Sequence, residues 1–265
     1  MKKLSVLAIA FVAIAFAACG GQKNAQAEES TDSLKSFEQK QIEASIKMNL
    51  DSIASELGKL KQLPFMQNGV LELTKEEKQV KPDYLIDASV ADEATTLAEK
   101  YRILSALNVD KKIAQLYEMP TEDYDKAIAK LVADINDPSF KAIEDTNTLY
   151  EASTTLYDAM SENGRINYFW QLASAALVEQ LYDANQNTDK FLAAFDDDAA
   201  ANVSFRIILI LDAVNRLSEY DPEIEPVAKA LAPLDVLNAT TVAELKTQIE
   251  EAKEPIIAAR KALIK

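Results

Sequence analysis

Near the C-terminus, Val242, Leu245, Ile249, Ala252, Ile256, Ala259 and Leu263 follow one another at spacings that alternate three and four. That is the period of an α-helix, and it lays down one narrow apolar seam that another helix must cover. Ile42, Ile46, Leu50, Ile53, Leu57 and Leu60 repeat the pattern upstream, as do Ile86, Val90, Ala94, Leu97, Tyr101 and Leu104. Strands would need every second residue apolar, so seams of this kind cannot be buried in a sheet. Glycine usage agrees. After residue 21 the chain holds only Gly58, Gly69 and Gly164, too few for the turns that hairpins require. The expected fold class is all-α, a multi-helix bundle of about eight or nine helices.

Punctuation along the chain places the breaks. The first helix stops at "LPFMQNGVLEL", where Pro64 and Asn68-Gly69 are turn signals. A second is expected to open at Pro82 and run to residue 107, with a short one over 111–118 ended by Pro120. Thr121 should cap the next, which carries Tyr124, Ile128, Leu131 and Ile135. Asn163-Gly164 should divide two helices, and Asn187 or Thr188 should start a short one. "FRIILILDAV" is apolar nearly all round, which predicts a central helix. Thr241 and Glu244 stand at capping-box spacing before the C-terminal seam, and Pro255 should kink that last helix without ending it.

The N-terminus has a different grammar. Lys2 and Lys3 precede an uncharged apolar run over residues 4–18, too short to span a bilayer, and small residues lead to Cys19, the chain's single cysteine. Phe16-Ala17-Ala18-Cys19 resembles the lipobox of bacterial lipoproteins, with Phe16 where Leu is usual. The resemblance implies that residues 1–18 are a signal peptide and that Cys19 is acylated to become the first mature residue. Residues 19–33 then read as the lipidated cysteine and a disordered tether, and 34–265 as the all-helical domain. Gly20 after the cysteine implies sorting to the outer membrane, and "GGQKN", which lacks the acidic run that marks some surface lipoproteins, implies the periplasmic face. The acyl anchor explains why a lone thiol is kept where no partner cysteine exists.

Composition removes most chemistries. The 43 acidic residues outnumber 28 basic ones for a formal net charge of −15, which argues against nucleic acid and against docking on anionic lipid. Histidine is absent. With Cys19 assigned to lipid, the usual serine and cysteine triads and the imidazole and thiolate metal sites are excluded; no catalytic residues, metal or cofactor are expected. Asp196-Asp197-Asp198 should complement a helix dipole. A calcium loop starting at Asp183 fails, because Thr188 and Ala194 fill the places of its glycine and glutamate. Lytic transglycosylases share a helical, lipidated character, but their Glu-Ser signature occurs here only at Glu29-Ser30, in the tether.

Two weaker signals remain. Phe140, Ile143, Asn147, Tyr150, Thr154 and Tyr157 recur at helical spacing, followed by Arg165, Tyr168 and Trp170, while the apolar helix contributes Asn202 and Arg206. Aromatic rings with a few polar tips line small-molecule pockets, so Tyr150, Tyr157, Trp170, Asn202 and Arg206 are candidate ligand-binding residues. Against this, the same rings can simply pack, and Arg206 can reach an acid or the surface. Asp32-Ser33-Leu34 and Asp51-Ser52-Ile53 resemble a bacterial O-glycosylation sequon at Ser33 and Ser52. The function expected is a membrane-anchored cell-envelope lipoprotein with a non-catalytic helical binding or scaffolding domain and a protein or small-ligand partner. The alternatives are a glycan- or small-ligand-binding lipoprotein with an aromatic pocket, and a carboxylate-based glycan hydrolase.

Overall fold

A computed structural model describes residues 44–67, 69–143 and 153–264. Cys19, Ser33, Asn68, Asn147 and Tyr150 lie outside them. Residues 44–59 form helix α1. It is followed by α2 (Lys75–Gln79), α3 (Leu97–Leu116), α4 (Glu122–Ile135), α5 (Ser153–Glu162) and α6 (Ile166–Gln186). Then come α7 (Thr188–Leu192), α8 (Asp197–Ser218), α9 (Glu225–Leu231), α10 (Val242–Glu251) and α11 (Lys253–Leu263). Tight helical turns at Pro64–Met66, Ala88–Asp92, Pro138–Ile143 and Ala232–Val236 join them. Among the described residues there are eleven helices, nine of them at least seven residues long, and no strand. None is long and apolar enough to cross a membrane.

The seams are buried as the spacing requires. Leu50, Ile53 and Leu57 of α1 and Leu245, Ile249, Ile256, Ala259 and Leu263 at the C-terminus all enter one core. Local signals fix several starts. Asp196 accepts from the Ala199 amide at 2.8 Å to cap α8, and Asn187 accepts from Lys190 to cap α7. Gly164 takes φ +67° between α5 and α6, the left-handed conformation that a Cβ disfavours.

Five expectations are corrected. The second long helix starts not at Pro82 but at Leu97, where Thr96 and Glu99 close a capping box. It then runs on through the separate short helix expected over 111–118, as far as Leu116. Thr121 precedes α4 as expected but makes no side-chain cap hydrogen bond. The C-terminal seam is carried by two helices, broken at Ala252 (ψ 11°). Pro255 lacks an N–H and its ring crowds the carbonyl four residues back, so the break falls one turn before it and Pro255 sits in the tolerant first turn of α11. Finally, the central helix is α6, which packs against α3, α11, α5 and α8. "FRIILILDAV" in α8 leaves Phe205 41% and Ile208 48% exposed.

Candidate functional site: a buried carboxylate cluster

A central helix is the costliest place for charge, yet α6 buries Gln171, Ser174, Glu179, Gln180 and Asp183. Gln171 is satisfied, accepting from Arg102 at 2.7 Å and donating to the Glu223 carbonyl at 3.0 Å. Glu179 and Asp183 are four residues apart, which puts them on one face of the helix a turn from each other. That face meets Asp110 of α3 and Arg260 of α11, because α6 packs against both helices. One carboxylate oxygen from each of Asp110, Glu179 and Asp183 lies within 4.8 Å of the other two, and all three side chains are 0% exposed.

Arg260 neutralises one of the three. Its Nε donates to both Glu179 oxygens at 3.0 and 2.9 Å, and its terminal nitrogen donates to Oε1 at 2.8 Å and to the Tyr84 carbonyl at 3.3 Å. The guanidinium carbon sits 4.0 Å over the Tyr182 ring, a stacked arrangement that suits a planar cation. Asp110 Oδ2 accepts from the Ile86 amide. The segment carrying Ile86 is itself pinned by Tyr124, whose hydroxyl donates to the Ile86 carbonyl at 2.8 Å. Asp110 Oδ1 and both oxygens of Asp183 accept from no donor among the described residues.

Burial holds the Asp110 and Asp183 carboxyls well above the usual carboxylate range, and the neighbouring acids push the same way. Glu179 is raised too, by burial, with Arg260 opposing. Tyr84 is pushed up by burial and then by the charge of Asp183. Chemically the cluster can share protons or hold a cation. It cannot meet a polymer, since no oxygen of it reaches the surface.

The residues singled out in the sequence fall elsewhere. Tyr157 is buried on α5, donates to Asp51 at 2.8 Å, and packs edge-on against Phe169 and Trp170 with ring centroids 5.0 and 6.1 Å away. Trp170 is buried on α6, edge-on to Phe169. Arg206 is 2% exposed and donates to the Lys61 carbonyl at 2.8 Å, just beyond the end of α1; burial pulls its pKa down to about 10. Asn202 is half-buried and lines a shallow hollow of about 270 Å³ with Lys61, Pro64, Asp196 and Asp198, and neither Tyr157 nor Trp170 borders it. Ser52 is exposed on α1. Asp196 and Asp197 serve the architecture, Asp197 accepting from the Val242 amide that opens α10.

Sequence reasoning missed the cluster. Its one legible trace is the pair of acids, four apart, inside the mostly apolar run "LASAALVEQLYDA". Asp183, considered above only as the start of a calcium loop, lies within α6. Comparison with known families, with characterised proteins and with solved structures finds no match to this chain.

Proposed function

We propose that the chain is a cell-envelope lipoprotein, held in the outer membrane by acyl groups on Cys19, whose helical domain binds or scaffolds and does not catalyse. The anchor rests on the residues around Cys19. The non-catalytic reading rests on one observation, that the convergence of carboxylates at Asp110, Glu179 and Asp183 is sealed from solvent. A hydrolase needs two carboxylates facing a substrate across an open cleft. Phe205 and Ile208, one turn apart on α8 and exposed, supply the apolar surface that a partner in the envelope would cover.

Metabolic labelling with an alkyne fatty acid in the native host tests the anchor. The wild-type chain takes up label and fractionates with outer membranes, and Cys19→Ser stays an unlabelled precursor. Label on the Cys19→Ser variant sinks the assignment. Release of reducing ends from peptidoglycan or polysaccharide by the purified chain would overturn the non-catalytic part.

A further inference from the structure

We propose that Asp110, Glu179 and Asp183 hold one divalent, oxygen-seeking cation of calcium's size at the junction of α3, α6 and α11. Charge and geometry converge on it. Three carboxylates face one guanidinium, so the ionised cluster carries two negative charges in excess, which one divalent cation cancels. Arg260 is committed to Glu179 and to the Tyr84 carbonyl. Asp183 is wholly buried, points into the cluster, and has both oxygens without a donor among the described residues; Asp110 Oδ1 has nothing but the Glu179 carboxyl beside it. A buried acceptor left bare is expensive and rare, and a cation bound by all three oxygens removes the deficit in a single step.

Size and hydration both bear on the choice of ion. Calcium binds oxygen at about 2.3–2.6 Å, so two of its ligands are at most about 4.6–5.2 Å apart. Magnesium, at about 2.0–2.1 Å, allows at most about 4.2 Å. The three oxygens lie within 4.8 Å of one another, inside the reach of one calcium sphere, and magnesium, which gives up its water reluctantly, is seldom held by a cage of protein carboxylates. The donors are all carboxylate oxygens, which favour hard cations over the softer transition metals. Asp183 can bind through both oxygens, Asp110 through Oδ1, and Glu179 through the lone pairs that Arg260 leaves, with water completing the sphere. Arg260 then acts as an outer partner, holding the Glu179 carboxylate in its orientation. Enclosure by Tyr84, Tyr182 and the segment around Ile86 means that the ion is taken up as the protein folds or when this cover opens.

The test uses the full-length chain in detergent, stripped with a chelator, with Ca²⁺ or Mg²⁺ added either to the folded protein or during refolding from denaturant. Ca²⁺ at a hundredfold excess over its Kd raises Tm by roughly 5 °C or more, with one equivalent bound per chain, and Mg²⁺ raises it less. Asp183→Asn, nearly isosteric, keeps its helical circular dichroism and loses the shift; Asp110→Asn is the second variant, with the same expected loss. A Tm unmoved by Ca²⁺ in both additions overturns the proposal and leaves protons as the neutralising charge. A shift retained in both variants also overturns it, since the ion would then be on exposed acids. An equal response to Mg²⁺ overturns the choice of calcium.

Discussion

Arg260 and Arg206 are both arginines in the core, and they do different work. Arg260 is half of a charge pair with Glu179 and fixes that carboxylate beside two others. Its replacement by Met strands a buried acid, and the expected cost is about 3–5 kcal/mol by urea unfolding. Arg206 donates to the Lys61 carbonyl past the C-terminal end of α1, where carbonyls lack helical partners and a positive group is favoured. Arg206→Met should cost less, about 1.5–3 kcal/mol, the range for a hydrogen bond made by a charged group. A variant as stable as wild type would mean that relief from burying the charge outweighs the lost bond. Tyr157 and Trp170 carry the same lesson in another form. Polar tips on aromatic rings are legible in a sequence, but whether a ring faces a ligand or a neighbouring ring depends on Phe169, which meets both of them edge-on.

At the scale of the element, what was legible is what acts within a turn. The α8 cap at Asp196 and the α7 cap at Asn187 are set by bonds between residues three apart, and the Gly164 break by bonds between residues at most five apart. Where two local signals competed, the nearer capping chemistry decided. Pro82 could open a helix, yet the capping box at Thr96 and Glu99 is where α3 begins. Thr96→Ala should therefore destabilise the protein by about 0.5–2 kcal/mol, measured as a shift in the denaturation midpoint with unchanged slope. The C-terminal seam yields a larger effect. Ile249 is buried in α10, and Asn185 of α6 donates to its carbonyl at 2.9 Å. Ile249→Asp places an unpaired charge there and should cost about 3–5 kcal/mol; an unchanged midpoint would mean that this seam contributes nothing to the core.

For the whole molecule, the carboxylate cluster makes stability depend on pH in a stated direction. In chelator, folded Asp110 and Asp183 keep protons that the unfolded chain releases near the ordinary value of 3.8. Folding then takes up protons, so their contribution is complete below that value and is lost as pH rises through the raised folded values. The urea midpoint of the wild type should fall as pH rises above about 4, and Asp183→Asn should flatten that slope. An identical slope in the variant would show that the dependence comes from other acids. The sequence by itself determined that this chain is helical and where most helices start and stop, because period and capping are properties of neighbours along the chain. It also holds the residues around Cys19 on which the proposed anchor rests. Only the tertiary structure decided which helix is central, and only it brought Asp110, Glu179, Asp183 and Arg260 together from three helices. Burial is a property of everything packed around a residue, so a carboxylate spaced like any surface acid gains its chemistry only when α3 and α11 close over it.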